Sequence, residues 1–298
     1  MSPPMDPPMD APHLASPAPV AVVILTLDEE INIGKAIASV GGRAPVVVVD
    51  SGSRDRTREI AAAAGAEVRE HAFVDYASQR NWALELLQPR ARWVFFLDAD
   101  EEVTDELWRD IEAACARDDL DGAYVGLTFF VMGRELKHGG FGGASILRLM
   151  RPAVARFARG TNERVDDSQM RVTRLEHKLR HDDHKPLAEW FRKHVRYAQR
   201  EARHYVEGDD ARRGLAGFSL RTKAGRMIGV RWAYNKMPLF LRPFVHFGRT
   251  VVAQSAWRDG LPGLMYAGMQ SLWYPLMIDL FIYEARWQAK LDREEHER

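Results

Sequence analysis

Residues 93–100 read WVFFLDAD, a short apolar run followed by two acidic residues. A run this short and this rich in aromatic and branched side chains predicts a buried parallel strand. Asp98 and Asp100 follow at its carboxyl end, where open α/β sheets bind ligands. Side chains two positions apart in extended chain point the same way, so a divalent cation would relieve the repulsion between the two carboxylates.

The same residues allow a simpler interpretation. Glu101 and Glu102 follow directly, and Thr104 is a residue type that begins helices, so the acids can also mark a solvated helix start. Two aspartates separated by one residue are common by chance, and alone they favour this simpler interpretation. Other parts of the sequence must therefore decide between the two.

The sequence around this run alternates between strand and helix patterns. Strands are predicted at residues 20–26, 45–49, 66–69, 93–97, 123–132 and 145–150. Helices are predicted at residues 29–40, 53–65, 76–87 and 104–117, with Ser53 as a cap and Gly65 as a stop signal. This alternation predicts an α/β fold with a mostly parallel sheet flanked by helices.

Composition divides the 298 residues into three parts. Residues 1–19 contain seven prolines and predict a disordered tail, and residues 20–184 carry the α/β pattern. Residues 185–298 predict a helical, basic and apolar region, because residues 185–258 hold 16 Lys or Arg against five Asp or Glu. The single cysteine, Cys115, excludes an internal disulfide and favours a reducing compartment.

Three of the predicted strands end in acidic or small polar residues. These ends are LTLDEE (25–30), DSGSRD (50–55) and DAD (98–100), and parallel strands place them side by side at one edge. The first strand is not followed by G-x-G-x-x-G, and G-x-x-x-x-G-K-[ST] does not occur, which argues against the usual dinucleotide site and against a P-loop. The basic region carries no nucleic-acid recognition motif, so nucleic acid is not an expected partner.

Four linked segments resemble family-two glycosyltransferases, which have the GT-A fold. They are VILTLDEE (23–30), VDSGSRDRT (49–57), QRNWA (79–83) and FLDADE (96–101). Two further segments, LRLMR (147–151) and GTNE (160–163), resemble a subgroup that includes bacterial enzymes adding β-glucose to the lipopolysaccharide inner core. The order and spacing of several motifs are far more specific than any single one.

The resemblance implies a role for each matched residue. The implied donor-binding residues are Thr26, Leu27, Glu29, Asp50, Arg80, Asn81 and Asp98. Asp100, with Asp98 beside it, would ligate Mg²⁺ or Mn²⁺ on the diphosphate of a UDP-sugar, and His181 is a further candidate near the diphosphate. Glu163 would be the general base, and Asp166 is its rival. The subgroup commonly has a His-Glu pair at this place, whereas this chain has Asn162 before the glutamate.

The implied activity is inverting transfer of a hexose, most simply glucose, from UDP to a lipid-linked or envelope glycan such as lipopolysaccharide core. A polyprenyl-phosphate glycosyltransferase and a nucleotidyltransferase with a similar sheet remain alternatives, as does a membrane-surface binding protein with an inactive transferase fold. Basic and aromatic residues in the last third predict contact with a membrane surface. The expected location is therefore cytoplasmic, peripheral at the inner face of the plasma membrane.

Overall fold

A computed structural model of the chain describes residues 18–143, 145–158, 164–165, 167–207 and 223–296. These residues form two compact units. Unit 1 extends to Thr128 and resumes over Gly143–His184, and unit 2 contains Phe129–Gly142 and the described residues from Lys185 onward. Residues 1–17 of the predicted tail lie outside the described part, and Ala18 already belongs to the first strand.

Nine strands of the described residues form one mixed sheet. The strands of the chain are β1 Ala18–Thr26, β2 Val46–Asp50, β3 Glu67–Glu70, β4 Ala91–Asp98, β5 Glu101–Glu102, β6 Gly122–Val131, β7 Arg134–Leu136, β8 Ser145–Met150, β9 Phe157–Ala158, β10 Arg164–Val165 and β11 Val172–His181. The sheet order is β3-β2-β1-β4-β8-β6-β11-β5, β7 pairs with β6, and β9 pairs with β10 separately. The first four strands in this order are parallel, and β8 is antiparallel to β4 and β6.

Helices cover the parallel part of the sheet in unit 1. They are α1 Ile33–Val40, α2 Thr57–Ala63, α3 Tyr76–Leu87 and α4 Asp105–Cys115. The strands are apolar on both faces: Val22 and Ile24 of β1 are fully buried, and so is Val23 between them. A strand buried on both sides must lie between two layers, which is why continuous apolar runs predicted these strands. The predicted α/β class, a mostly parallel sheet flanked by helices with a helical C-terminal region, is confirmed.

Two predicted helix starts are wrong, and the first helix begins at Ile33 and not at residue 29. The second helix begins at Thr57 and not near Ser53, because the Ser53 hydroxyl hydrogen-bonds Asp50 and accepts from the Asp28 backbone. The prediction for the fourth helix is confirmed, since the Thr104 side chain caps α4 by accepting from the Leu107 N–H. Glu101 and Glu102 form strand β5 and not a solvated helix start, and Glu101 is buried.

Unit 2 is largely helical. Its helices are α5 Leu187–Val206, α6 Lys223–Lys236, α7 Arg242–Gly248, α8 Gly260–Ala267 and α9 Tyr274–His296, with π-helical turns at Arg249–Ala253 and Gly268–Trp273 and a 3₁₀ turn at Ala256–Asp259. Residues 261–278, which are uncharged in the sequence, are therefore split between three helical segments. No helix in the described ranges has the length and apolar character needed to cross a membrane.

Candidate active site

The register of the sheet brings three strand ends to one edge. In β1, Thr26 pairs with Asp50 of β2, and Leu25 pairs with Asp98 of β4. The two aspartates therefore lie within one residue of the same level on strands that flank β1. This is the carboxyl edge, where α/β sheets bind ligands.

The loops that follow β1 and β2 are joined by hydrogen bonds. The Asp28 N–H donates to the Ser53 hydroxyl (2.9 Å), and the Glu29 N–H donates to the Thr57 hydroxyl (2.7 Å). Asp28 has a φ of 55°, a left-handed conformation that aspartate tolerates better than most residues. Leu27 stands at the tip and is 51% exposed. The paired loops form one wall beside the strand ends, with an apolar side chain at its surface.

Asp50 is fully buried and organises the turn after β2. Its carboxylate accepts hydrogen bonds from the Thr26 hydroxyl (3.0 Å), the Gly52 N–H (3.0 Å), the Ser53 N–H (2.9 Å) and the Ser53 hydroxyl. Arg58 lies farther away, with its Nε 3.8 Å from the carboxylate. Four donors satisfy a carboxylate, which has about four acceptor positions. The geometry thus gives the Asp50 side chain a positioning role in this turn.

Asp98 is held by arginine instead of by its own loop. Arg148 of β8 donates to both of its oxygens, with Nη1 to Oδ1 at 3.0 Å and Nη2 to Oδ2 at 2.6 Å. The same Nη2 donates to Glu101 Oε1 at 2.6 Å, and Glu101 Oε2 accepts from the Asp98 N–H at 3.0 Å. Arg80 approaches Asp98 Oδ1 at 3.8 Å. A two-point arginine fork fixes the orientation of a carboxylate as well as its charge.

Burial and the neighbouring charges shift the pKa values of Asp98 and Glu101. Burial acts to raise the pKa of Asp98, but the charge and hydrogen bonds of Arg148, aided by Arg80, outweigh it and hold that pKa well below its usual range. Burial raises the pKa of Glu101, and the Asp98 and Asp100 carboxylates raise it further, whereas Arg148 lowers it. Asp98 is therefore ionised, and one guanidinium serves several carboxyl groups.

Three successive polar residues of α3 contact the turn after β2, the end of β4 and strand β9. Gln79 donates to the Ser51 hydroxyl after β2 (2.6 Å), and Arg80 lies beside Asp98. The Asn81 amide donates to the Phe157 carbonyl and accepts from the Phe157 N–H, both at 2.8 Å. Because the nitrogen and the oxygen of the Asn81 side chain both bond the backbone of Phe157, Asn81 fixes β9 against α3.

Asp100 and His181 offer the arrangement expected of cation ligands. His181 Nδ1 lies 3.5 Å from Asp100 Oδ1, and both side chains are partly exposed. Carboxylate oxygen and imidazole nitrogen are ligands that Mn²⁺ accepts, while Mg²⁺ favours the carboxylate and phosphate oxygens. Both oxygens of Asp98 already accept from Arg148. The donor set therefore fits a divalent cation held by Asp100 and His181, with Asp98 fixed beside it.

A second group of candidate ligands lies on β5 and after β11. Glu102, Asp182 and His184 each offer one ligand atom, and these atoms lie within 4.8 Å of one another. Two cations already contact this group: Arg180 Nη2 is 2.7 Å from Asp182 Oδ2, and Lys35 Nζ is 2.9 Å from His184 Nε2. A metal ion here would have to displace both, which makes Asp100 and His181 the better match.

The sequence predictions cover part of this arrangement. Glu163 and Asp166, the candidate bases, lie outside the described residues. Sequence reasoning missed the parts played by Gln79, Glu101 and Arg148. The signal for Arg148 was present, since the LRLMR segment resembles the subgroup, but nothing in it indicates a partner 50 residues earlier.

A known family covers the strands that build this edge. Its sequence profile, described as Glycosyl transferase family 2, matches residues 21–174, which is more than half of the chain. The chain belongs to glycosyl transferase family 2. The resemblance predicted from the motifs is thereby confirmed, and the strand ends of this family 2 chain lie within the matched residues.

Curated relatives match this family 2 chain over part of its length. A TPR repeat-containing protein from Synechococcus elongatus is 33% identical over 166 residues, covering 54% of this chain and 39% of that protein. The lipopolysaccharide core biosynthesis glycosyltransferase LpsC from Rhizobium meliloti is 34% identical over 122 residues, covering 39% of this chain and 44% of that protein. The chain thus spans less than half the length of these curated relatives.

Solved structures of glucosyl-3-phosphoglycerate synthase from Mycobacterium tuberculosis are similar to this family 2 chain at low identity. The complex with phosphoglyceric acid has a TM-score of 0.43 and 16% identity, over 57% of this chain and 74% of that one. A complex of the same enzyme with Mn²⁺, UDP and glucosyl-3-phosphoglycerate has a TM-score of 0.42 and 16% identity, with the same coverage.

Proposed function

We propose that this family 2 member is a metal-dependent, inverting glycosyltransferase. It moves a hexose, most simply glucose, from a UDP-sugar to a lipid-linked or envelope glycan such as lipopolysaccharide core. Family membership supports transfer of a sugar, and the relative named for lipopolysaccharide core biosynthesis supports the acceptor class. Such an acceptor would place the enzyme at the cytoplasmic face of the plasma membrane.

In this proposal Asp100 and His181 hold Mg²⁺ or Mn²⁺ on the donor diphosphate. A cation bound there neutralises charge on the leaving nucleoside diphosphate. The chain itself supplies the orientation: the Arg148 fork fixes Asp98 beside the ligands, and Arg80 brings a second positive charge to the same edge. A fixed arrangement needs no rearrangement as charge develops in the transition state.

The nucleoside would lie along the paired loops after β1 and β2. Leu27 and the backbone near Glu29 form the surface there. Thr26 contributes indirectly to this surface, because its hydroxyl donates to Asp50, which holds the turn after β2. Asp50 holds the turn in shape, and Asn81 holds β9. These residues therefore shape the donor site, and Leu27, Glu29 and Arg80 face the donor itself.

Inverting transfer requires a base on the acceptor side. The acceptor hydroxyl attacks the anomeric carbon from the face opposite the leaving diphosphate and loses its proton as the new bond forms. Glu163 is our choice for this base, and Asp166 is the alternative in the same segment. A carboxylate suffices for this proton transfer once it is within hydrogen-bond distance of the hydroxyl.

The observation that carries the proposal is the alignment of Asp50 and Asp98 on strands flanking β1, inside the family match. Its test is a screen of purified protein with UDP-sugars, Mn²⁺ or Mg²⁺, and lipopolysaccharide core or polyprenyl phosphate, read as UDP release. We expect UDP release with a hexose donor and core acceptor. Release only with polyprenyl phosphate would change the acceptor class, and pyrophosphate release from a nucleoside triphosphate would overturn sugar transfer.

Glu163→Gln separates the base from the donor site. The variant should bind UDP-sugar nearly as well as the parent protein but lose transfer by about 10²–10⁴-fold, because loss of a general base has effects of this size. Asp166→Asn is the matched control in the same segment. Unchanged turnover in Glu163→Gln together with loss in Asp166→Asn would reassign the base to Asp166.

A further inference from the structure

Unit 2 contains a helical segment with one exposed apolar face. Helix α7 continues into the π-helical turn at Arg249–Ala253, and Leu241, Phe244, Val245 and Val252 are all exposed along it. Their spacings of three, four and seven residues place them on one side of a helix. Val252 is 73% exposed and Phe244 is 55% exposed, although apolar side chains of this size are usually buried.

A second exposed apolar row lies in the neighbouring segment. Leu261 and Leu264 lie three residues apart on α8, Trp257 precedes them in the 3₁₀ turn, and all three are exposed, Leu261 by 69%. The segment that carries them, the 3₁₀ turn followed by α8, packs against the π-helical turn at Arg249–Ala253. The two rows therefore lie on adjoining helical segments, and we call them together the apolar surface of unit 2.

Buried contacts hold these segments rigidly from the other side. Arg242 and Asp279 form a fully buried ion pair, with Nε donating to Oδ1 at 2.7 Å, which fixes α7 to α9. Gly263 packs so closely on the preceding turn that a Cβ there would lie 2.4 Å from the Ala256 carbonyl oxygen. The exposed rows are thus the outer side of a fixed structure and do not belong to its core.

The helical segments that carry this surface expose basic residues and bury their acidic ones. Across residues 237–283, all of which the structure describes, the acidic residues are Asp259 and Asp279, and both are buried. Asp259 accepts from the His138 N–H at 2.8 Å, and Asp279 pairs with Arg242. Arg249 and Arg258 are exposed within the same stretch. Within this stretch the exposed charged residues are therefore basic, and the exposed carboxylate of Glu135, on the strand β7 that packs against it, is paired with Lys137 at 3.6 Å.

We propose that the apolar surface of unit 2 docks on an anionic lipid bilayer and inserts its side chains into one leaflet. Aromatic and aliphatic side chains beside arginines are the combination that favours the boundary between headgroups and acyl chains. A second copy of this chain is a poorer occupant, because a two-fold contact would bring the same arginines together. Insertion parallel to the membrane also agrees with the helix lengths in the described ranges, which are too short or too polar to span it.

The test is co-sedimentation of the full chain with vesicles, either phosphatidylethanolamine with phosphatidylglycerol or phosphatidylcholine alone. We expect binding to the anionic vesicles and at least about tenfold weaker binding in Phe244→Ser/Leu261→Ser, since each substitution removes apolar area that the bilayer would bury. Phe73→Ser/Val74→Ser is the matched control, because these side chains of unit 1 are exposed to similar degrees, with Val74 at 69%. The control should bind as the parent protein does.

A charge variant, Arg249→Gln/Arg258→Gln, keeps the apolar side chains and should bind anionic vesicles several-fold more weakly. No binding by the parent protein, equal binding to both vesicle types, or parental binding by Phe244→Ser/Leu261→Ser would overturn the proposal. Concentration-dependent dimers that disappear in Phe244→Ser/Leu261→Ser would assign the surface to a second copy instead. Each of these readouts is independent of sugar transfer, so failure here leaves the proposed activity to its own test.

Discussion

The ends of β2 and β4 each carry an aspartate at nearly the same level of the sheet, yet the two carboxylates are held in different ways. Asp50 is fully buried and bonded to uncharged donors, most of them from the turn that follows it. Asp98 has a side chain that is 43% exposed, and its oxygens accept hydrogen bonds from Arg148 of the neighbouring strand β8, which is 50 residues away in sequence. One end is a closed turn, and the other is an open, charged edge.

This difference indicates a structural role for Asp50 and a role near the ligand for Asp98. A carboxylate whose hydrogen-bond positions are filled by backbone and hydroxyl groups has no room for a ligand, but it fixes the loop that a ligand contacts. A partly exposed carboxylate held by guanidinium groups stays ionised and keeps its orientation. Under the proposed function, the donor chemistry would therefore take place at the end of β4, and the end of β2 would shape the nucleoside site.

The largest stability effect is expected at Arg148. Arg148→Met removes the guanidinium that Asp98 and Glu101 share and should lower the free energy of unfolding by about 3–5 kcal/mol, the usual result of breaking a buried ion pair. Arg92→Met is the control, because Arg92 pairs with Asp118 at the surface of the same sheet and should change stability by less than about 1 kcal/mol. Urea unfolding measures both.

A second substitution identifies the source of this effect. Arg148→Met/Glu101→Gln replaces the buried acid with an uncharged amide and should recover part of the lost stability, since Asp98 can be hydrated through its exposed side. Arg148→Lys keeps one positive charge but loses the two-point contact of the guanidinium, so its free energy of unfolding should lie between those of the parent protein and Arg148→Met. If Arg148→Met were as stable as Arg92→Met, the interpretation of the β4 end would be wrong.

A smaller effect is expected at the closed turn. Asp50→Asn preserves the shape of the side chain but removes the charge from four hydrogen bonds. It should lower the free energy of unfolding by about 1–3 kcal/mol. Asp118→Asn, whose side chain is 87% exposed, should change it by less than about 0.5 kcal/mol. Equal stability of the two variants would show that Asp50 does not organise the turn.

The smallest effect is expected at Thr26. Thr26→Val keeps the branched shape but removes the hydroxyl that donates to Asp50, and should lower the free energy of unfolding by about 1 kcal/mol. Thr26→Ser retains the hydroxyl and is the control for its donation. In the Asp50→Asn background the Thr26→Val effect should shrink, because the two groups form one bond. Full additivity in this double-mutant cycle would contradict the coupling.

Much of the fold could be predicted from sequence because its signals are local. The runs of β1, β2 and β4 are apolar at successive positions, and the prediction of a helix at residues 76–87 matches α3 in both bounds. The prediction of the second helix failed at Ser53 because serine also bonds within turns, and here its partners are Asp50 and Asp28. Which partner a hydroxyl takes depends on the neighbouring loop.

The candidate site was predictable to a smaller extent. The edge residues Asp50, Asp98 and Asp100 follow from strand ends, which local patterns reveal. The Arg148 contact does not, because it depends on the antiparallel pairing of β8 with β4, where Leu149 pairs with Phe95. Such a register joins residues far apart in sequence, and no spacing in a single chain specifies it.

The measurement that tests the central claim most directly is a calorimetric titration of UDP, with and without Mn²⁺, into the parent protein and Asp100→Asn. The account places the cation on Asp100 at the open edge. It predicts that Mn²⁺ strengthens UDP binding by the parent protein. In Asp100→Asn the affinity for UDP in the presence of Mn²⁺ should fall by at least ~10-fold, because loss of even an indirect partner of a bound metal has effects of this size. Asp50→Asn should keep the dependence on Mn²⁺. If Asp100→Asn kept the full strengthening by Mn²⁺, the cation would lie elsewhere and the account would be contradicted.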